Sequence, residues 1–316
     1  MSDVPLVITG DLHGNSVFDA LEEPKYLLKT NEEFQCEFLI SADMELFRII
    51  QNTQSFKIIN VGNILVRRPI LWQLNENQPE HIREFVVNET QEVLNAVIAH
   101  SHFSSTHEVF NAGKPYNLAR NKIFQLHLAK EIGLNVPSTC VTNNKKLAKD
   151  FYISNKKNII YKCLSRPVIH YEDGKKSMIH TSKVLDDNFE NVASCPCLFQ
   201  ENLTKAYELR VAVISDEVIA VRIDSQEYEE TKQDWRKGMD NPLLYSKCEL
   251  PDSLKMQLIS LNEQLRINWS MMDLVVTPSG DYVFLEANPD GAWLWLEEYV
   301  AELNLTKKIA GRFSNH

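Results

Sequence analysis

Glycine is scarce in this chain of 316 residues, which contains 10 glycines, about half of the roughly 7% that is usual in proteins. None of them forms the G-x-G-x-x-G or G-x-x-x-x-G-K-[ST] patterns whose backbone amides cradle phosphates. The sequence therefore excludes a nucleotide site built on a Rossmann or Walker loop. A bound phosphate would have to be held by cationic side chains and a metal ion.

Long apolar runs and an excess of basic residues are also missing. No stretch approaches the roughly 20 apolar residues that span a bilayer, and the N-terminus lacks the basic segment of a signal peptide. The formal net charge of −10 argues against general nucleic-acid binding. The six cysteines show no zinc-like spacing, since only Cys195 and Cys197 lie close together. We therefore expect a soluble cytoplasmic protein with reduced thiols and no membrane or nucleic-acid partner.

Two apolar runs near the C-terminus are the most informative part of the sequence. They flank residues 277–281, whose proline and glycine are typical of a hairpin turn. Because side chains alternate along a strand, Glu286 and Asn288 share a face, and strand pairing brings Asp273 close to Glu286. Carboxylate and amide oxygens are ligands that Mg²⁺ prefers, so these three residues predict a magnesium site. A polar strand end exposed to solvent is the alternative.

The segment Gly10-Asp11-Leu12-His13-Gly14-Asn15 resembles the first motif of metallophosphoesterases, in which Asp and His bind a two-metal site. The further Asp, Asn and His clusters of that chemistry do not follow in this sequence. A turn from a short strand into a helix that is capped by Asn15 or Ser16 is therefore the favoured interpretation.

Hydrophobic periodicity and turn residues predict an α/β (α+β) fold in which helices and strands alternate. The first part is expected to form a small α/β domain that ends near residue 115. A hairpin-like turn is expected at residues 173–176. The predicted helices lie at residues 43–52, 82–100, 117–133 and 254–265, and the predicted strands at residues 6–10, 56–60, 64–66, 158–162, 198–201, 208–214 and 218–223.

Cationic side chains stand at the ends of several predicted elements. Lys122 lies in the first turn of a helix, where the dipole disfavours a cation, so either a bound anion or a solvated lysine would explain it. Lys162 ends a strand. Arg67 and Arg68 follow another strand and either bind an anion or order a loop.

The order of these residues resembles the ATP-grasp superfamily. A lysine on a helix, a lysine ending a strand, a Gln-Glu hinge, a Glu-x-Arg and an Asp followed by Glu-x-Asn succeed one another. More narrowly, the chain is similar to the graspetide ligases, the microviridin-type peptide macrocyclases. This similarity extends over nearly the whole chain and rests on Arg67-Arg68-Pro69, Asn121-Lys122, residues 132–139 and 179–182, Asp234-Trp235-Arg236 and residues 284–289.

The resemblance implies an ATP-grasp fold with an N-terminal α/β pre-ATP-grasp domain at residues 1–115, a central lid domain at residues 116–197 and a C-terminal domain at residues 198–316. It also implies a role for eleven residues of the sequence. These are Lys122 and Lys162 for the ATP phosphates; Gln200, Glu201 and Leu203 for adenine; Glu208 for ribose; Arg210, Lys162 and Arg236 for catalysis; and Asp273, Glu286 and Asn288 for two Mg²⁺ ions.

The implied reaction is ATP-dependent phosphorylation of Glu or Asp side chains in a ribosomal precursor peptide. A Ser or Thr hydroxyl, or a Lys amine, then closes a macrocycle through an ester or amide. The implied partners are the precursor with its leader and a second copy in a homodimer. The leader would contact residues 182–194, for which a solvated acidic loop is the alternative. Two other functions stay open: a RimK-like ligase that adds amino acids to a peptide or protein, and a grasp protein that binds nucleotide or peptide without catalysis.

Overall fold

The structure is a computed structural model that describes residues 3–69, 71, 79–102, 107–165, 168–171, 175–232, 234–238 and 240–314. Within these ranges the chain forms five β-sheets. Residues 173 and 174 of the predicted hairpin-like turn lie outside the described residues. None of the helices in the described ranges is long and apolar enough to cross a bilayer.

A parallel sheet begins the chain, with strand order β2-β1-β6-β7. Leu6, Val7 and Ile8 of β1 are all fully buried, as expected for a strand that is covered on both faces. The elements of this part are β1 (Val4–Thr9), α1 (Leu12–Ala20), β2 (Tyr26–Lys29), β3 (Gln35–Ile40), β4 (Glu45–Gln51), β5 (Gln54–Lys57), β6 (Val61–Arg67), α2 (Glu80–His102) and β7 (Val109–Phe110).

Three local predictions in this part are wrong. The predicted strand at residues 56–60 ends at Lys57 in β5, and Ile58–Asn60 form a 3-10 helix instead. The predicted helix at residues 43–52 is β4, which pairs with both β3 and β5 in an antiparallel sheet. Cross-strand pairing here outweighs the helical spacing of the apolar residues. The cap of α1 is Asp11, whose carboxylate accepts a hydrogen bond from Gly14 N at 3.0 Å. Asp11 caps the helix because its backbone is still extended where the strand ends, whereas Asn15 and Ser16 already lie inside the helix.

The middle of the chain forms a four-stranded sheet in the order β12-β9-β13-β8 and a separate β10-β11 hairpin. The single helix predicted at residues 117–133 is two helices, because Asn121 caps the second one and its Oδ1 accepts from Phe124 N at 3.0 Å. The elements are α3 (Gly113–Ala119), α4 (Lys122–Glu131), β8 (Thr139–Thr142), α5 (Lys145–Ser154), β9 (Ile159–Lys162), β10 (Val168–His170), β11 (Lys176–Met178), β12 (Ser182–Lys183) and β13 (Cys197–Glu201).

A five-stranded antiparallel sheet completes the fold, in the order β16-β15-β14-β17-β18. The predicted C-terminal hairpin is confirmed as β17 and β18. The predicted leucine stripe of α6 covers one face of the sheet. The elements are β14 (Tyr207–Ile214), β15 (Glu217–Ile223), β16 (Tyr245–Cys248), α6 (Asp252–Leu265), β17 (Trp269–Val276), β18 (Tyr282–Asn288), α7 (Leu294–Tyr299) and α8 (Leu305–Ser314).

The opposite face of this C-terminal sheet packs against the parallel sheet of the N-terminal part. One buried cluster joins Val7 and Leu65 of the parallel sheet to Ala212, Val221 and Met271 of the C-terminal sheet. The predicted boundary between residues 197 and 198 falls inside β13, which pairs with β8 and β9. The domain boundaries themselves stay a prediction.

Candidate functional site

A cleft of about 330 Å³ lies between the central sheet and the C-terminal sheet. Each of the eleven residues singled out in the sequence contributes to its wall. They come from the start of α4, the end of β9, the end of β13 and the segment after it, three strands of the C-terminal sheet and the short 3-10 helix Trp235–Gly238. The structure thus brings together residues that are up to 166 positions apart, from Lys122 to Asn288.

Strand alternation places the polar side chains of the C-terminal sheet on the cleft side. On β14, Glu208 and Arg210 point to the face opposite Leu209 and Val211, which pack in the core beneath α6. Arg210 stands directly opposite Asp273 on β17. The same strands therefore supply a hydrophobic core on one face and a charged cleft wall on the other.

A bulge in β18 gives Glu286 its orientation. Leu274 is opposite Phe284, but Asp273 is opposite Glu286, so Leu285 is an extra residue in the ladder. Without it, Glu286 would follow Phe284 to the face beneath α6, where Phe284 is fully buried. The bulge instead turns Glu286 toward the cleft and places it directly across from Asp273.

Each of these two carboxylates is paired with a cation. Arg210 Nη1 lies 2.7 Å from Asp273 Oδ1, and Lys122 Nζ lies 3.1 Å from Glu286 Oε2. Lys122 Nζ also donates to the Cys163 carbonyl at 3.2 Å. Lys122 is therefore not a solvated lysine, because its ammonium group faces the carboxylate of Glu286.

The electrostatics of the cleft follow from this close packing of opposite charges. Burial raises the pKa of Glu286, but the ammonium groups of Lys122 and Lys162 outweigh burial and bring the pKa to about 2. Burial lowers the pKa of Lys162, against the opposing effect of Glu286. Glu286 is thus ionised at neutral pH, and the site holds a fixed negative group surrounded by cations.

Glu208 and Arg236 extend the charged wall on either side. Lys205 Nζ lies 3.0 Å from Glu208 Oε1, and burial raises the pKa of Glu208 against the influence of Lys205. Arg236 donates to both carboxylate oxygens of Asp234, from Nε at 2.7 Å and from Nη2 at 2.8 Å. This two-point bond fixes the plane of the Arg236 guanidinium at the cleft.

The segment after β13 forms the remaining wall. Gln200 is almost fully buried, and its Nε2 donates to Thr139 Oγ1 at 3.0 Å. The backbone N–H of Glu201 donates to Ser138 O at 2.9 Å. These bonds hold the strand that leads to Leu203 at the cleft, while the adenine-binding role of the segment stays a prediction.

The donor set fits a magnesium ion that shares its coordination with water and phosphate. Asp273, Glu286 and Asn288 offer oxygen atoms on one face of two paired strands. Asn288 Oδ1 accepts from Asp290 N at 3.0 Å, which leaves a second lone pair on that oxygen. Among the described residues, no group of three histidine, cysteine, aspartate or glutamate side chains is placed to hold a metal. Other ligands must therefore complete the shell, as is usual for Mg²⁺ beside phosphates.

Several residues of the cleft wall were not predicted as site residues, and Lys205, Arg68 and Trp295 are three of them. Lys205 neutralises the buried carboxylate of Glu208. A carboxylate at a buried strand position needs a cation nearby, and this requirement is the sequence signal that could have identified Lys205. Arg68 and Trp295 also contribute to the wall. The sequence left the role of Arg67 and Arg68 open. In the structure, Arg67 is fully buried below the cleft, whereas Arg68 reaches it.

Within the part of the chain that the structure describes, the phosphoesterase-like segment does not belong to a group of side chains that could hold a metal ion. His13 Nδ1 lies 3.7 Å from Asp11 Oδ2, and the same oxygen lies 3.3 Å from Arg67 Nε. His13 Nε2 accepts from Trp293 N at 3.2 Å. Asp11 and His13 are therefore engaged in helix capping and in contacts with the C-terminal part of the chain.

Gly291 permits the close packing behind Arg210. A Cβ atom at this position would lie 2.2 Å from Met271 Cβ and 3.1 Å from Arg210 Nη2. We expect Gly291→Ala to lower the free energy of unfolding by about 1–3 kcal/mol through overpacking. Gly311 in α8 is the matched control, since nothing lies within 4 Å of its added Cβ. Gly311→Ala should leave stability unchanged or raise it by up to about 1 kcal/mol. Urea unfolding of both variants measures the difference, and equal stabilities would contradict the packing argument.

No protein-family model and no curated protein sequence matches this chain. Solved structures do match it. The macrocyclase MdnC of Microcystis aeruginosa, bound with the precursor peptide MdnA, has a TM-score of 0.85 and 27% identity over 99% of each chain. The macrocyclase MdnB of the same organism has a TM-score of 0.79 and 26% identity over 100% of each chain.

A third structure adds a nucleotide complex to the comparison. The RiPP-associated ATP-grasp ligase of Chryseobacterium gregarium, in complex with ADP and a leader and core peptide, has a TM-score of 0.84 and 24% identity. The match covers 98% of this chain and 96% of that chain. The predicted ATP-grasp fold is confirmed. The chain therefore has the fold of the ATP-grasp ligases, and it is similar over its whole length to the macrocyclases MdnB and MdnC.

Proposed function

We propose that this chain is an ATP-dependent macrocyclase that joins side chains of a ribosomal precursor peptide through ester or amide bonds. The observation that carries this proposal is the pairing of Asp273 and Glu286 with Arg210 and Lys122 at one cleft. The likeness to MdnC, which was crystallised with its precursor peptide, supports a peptide as the substrate.

The first step is transfer of the γ-phosphoryl group of ATP to a Glu or Asp side chain of the peptide. This step brings two anions together, so the cleft must cancel negative charge before the reaction begins. Lys122, Lys162 and Arg210 supply fixed cations for this purpose. Adenine would lie against Gln200, Glu201 and Leu203, and the ribose near Glu208.

Asp273, Glu286 and Asn288 would hold magnesium, and we expect two ions. Bound magnesium supplies positive charge to the phosphate oxygens. The cations that now pair with Asp273 and Glu286 would then be free to contact phosphate. The same carboxylates would thus exchange a cationic side chain for the metal ion when magnesium and nucleotide bind.

The second step releases the phosphate. A hydroxyl of Ser or Thr, or a Lys amine, attacks the acyl carbon, loses its proton and expels phosphate. The peptide loses one water in total, while ATP becomes ADP and phosphate. This step needs orientation and exclusion of water more than a nucleophilic enzyme side chain. Arg236, held rigidly by Asp234, would orient the peptide carboxylate or its acyl phosphate.

A mass measurement tests the proposal. The chain is incubated with ATP, Mg²⁺ and a candidate precursor peptide. We expect the peptide to lose one water mass per ring and to yield one ADP per ring, and we expect neither change when EDTA is present. A gain of amino-acid mass would indicate the RimK-like alternative. Nucleotide binding without any peptide change would indicate a non-catalytic grasp protein.

The leader, the homodimer and the cytoplasmic location stay predictions. Residues 182–194 contain the exposed acidic side chains that we proposed for the leader. Asp187 is paired with Lys149 at 2.9 Å, and Glu190 is paired with Lys145. A basic leader would therefore have to displace two lysines of α5 from these carboxylates.

A further inference from the structure

The carboxyl edge of the parallel N-terminal sheet faces the loop that follows Asn288. Because β1, β6 and β7 are parallel, their C-terminal ends meet at one edge, which in open α/β sheets is the usual place for a ligand. Here the edge and the start of α1 present side chains to residues 289–293 of the same chain. This part of the sheet is therefore used to hold another segment of the protein.

Side chains from this edge bind the backbone of the loop at four of the five positions between 289 and 293. Three consecutive carbonyls accept hydrogen bonds, and one backbone N–H donates. The bonds are Asn111 Nδ2 to Pro289 O at 3.1 Å, Arg68 Nη2 to Asp290 O at 2.8 Å, Arg67 Nη2 to Gly291 O at 3.4 Å and Trp293 N to His13 Nε2 at 3.2 Å.

The carboxylate of Asp290 adds a second layer of contacts. It accepts a hydrogen bond from the Tyr116 hydroxyl, and it lies 3.6 Å from Arg67 Nη1 and 3.8 Å from Arg120 Nε. Arg67 itself is fully buried, with the rings of Trp269 and Trp293 beside its guanidinium. A buried guanidinium needs a nearby carboxylate, so Asp290 ties the loop to the sheet electrostatically as well as by hydrogen bonds.

Two residues of the proposed catalytic site depend on this loop for their positions. Asp290 N donates to Asn288 Oδ1 at 3.0 Å, and Gly291 N donates to Asn288 O at 3.0 Å. These bonds fix the side-chain amide and the backbone carbonyl of Asn288. On the other side, Gly291 packs directly against Met271 and the guanidinium of Arg210. A shift of the loop would therefore move Asn288 and open space behind Arg210.

We propose that Arg67, Arg68, Asn111 and the Tyr116–Asp290 pair form a loop clamp that positions Asn288 and Arg210 for magnesium and phosphate. This inference rests on the proposed function. It gives the N-terminal sheet a role in the site, although Arg68 is the one clamp residue that also contributes to the cleft wall. Partners of metal ligands typically change metal affinity or activity by about 10–100-fold when they are replaced.

Asp290→Asn and Tyr116→Phe test the clamp without replacing a proposed metal ligand. Calorimetry measures ADP binding to the full chain with Mg²⁺ and, separately, with EDTA. We expect each variant to bind ADP about tenfold more weakly in Mg²⁺ and as well as the wild type in EDTA. In the double variant, Tyr116→Phe should add little to Asp290→Asn, because the hydroxyl acts through that carboxylate.

Glu37→Gln is the matched control. Glu37 pairs with Arg48 on the β3–β4 hairpin, and neither residue belongs to the clamp. We expect this variant to match the wild type in both titrations. If Asp290→Asn does not fold, Tyr116→Phe alone decides the question. Folded clamp variants with wild-type ADP affinity in Mg²⁺ would overturn the clamp alone, and a wild type that binds no ADP would overturn the proposed function with it.

Discussion

Replacing Glu286 with glutamine is expected to lower kcat by about 10³-fold while leaving the chain folded. The glutamine keeps the shape and one oxygen of the side chain, but it removes the charge that faces Asp273 across the bulge. It also leaves Lys122 and Lys162 without their common carboxylate. Magnesium would then bind one anionic ligand fewer, and phosphate neutralisation would weaken.

The matched control for this variant is Asp281→Asn. Asp281 precedes β18 in the turn of the same hairpin, where it is exposed and accepts a hydrogen bond from Ser279. The chemical change is the same at both positions. Initial rates of ADP formation with the precursor peptide should fall for Glu286→Gln and stay at the wild-type level for Asp281→Asn. A Glu286→Gln enzyme that is within a few-fold of the wild type would remove this carboxylate from the site.

Replacing Arg210 with methionine is expected to lower kcat by about 10²–10³-fold, as for loss of a donor that stabilises transition-state charge. Arg210 is nearly buried, and its guanidinium is 2.7 Å from Asp273. Methionine fills the space but leaves Asp273 without its partner. We therefore also expect a loss of up to about 3 kcal/mol in the free energy of unfolding, the low end for breaking a buried pair, because Asp273 is partly exposed.

Adding Mg²⁺ should separate the loss of stability in Arg210→Met from its loss of kcat. Bound magnesium would compensate the charge of Asp273, so the stability deficit of Arg210→Met should shrink when Mg²⁺ and ADP are added, whereas the loss in kcat should persist. Arg222→Met is the control, since Arg222 lies on the neighbouring strand and is half-exposed beside Asp224. Thermal unfolding and initial rates measure both quantities. Equal losses of kcat in the two variants would contradict a specific role for Arg210.

The hairpin and its polar residues could be predicted from the sequence because strand composition, turn residues and alternation all pointed to the same structure. The bulge at Leu285 could not be predicted. Alternation alone places Glu286 on the same face as Phe284, which is buried beneath α6. A single extra residue reverses this orientation, and the reversal depends on pairing with β17 that no local pattern reveals.

The roles of Arg67 and Arg68 could not be predicted from the sequence for a similar reason. Both residues contact a loop more than 200 positions away. Although they are adjacent at the end of β6, Arg67 is buried and Arg68 reaches the cleft. The backbone of Arg68 has a φ of 38°, a left-handed conformation that is unusual for a residue with a side chain. Tertiary contacts with Asp290 hold it there, and such contacts are absent from any local window of the sequence.

The most direct test of the account follows the oxygen atoms of the peptide. A precursor peptide whose Glu and Asp side-chain carboxylates carry oxygen-18 is cyclised with unlabelled ATP and Mg²⁺ in ordinary water, and the released phosphate is analysed by mass spectrometry. If the chain activates a peptide carboxylate with ATP, each phosphate released with a new ring carries one oxygen-18 atom. Ring closure that yields only unlabelled phosphate would contradict activation of a peptide carboxylate by ATP.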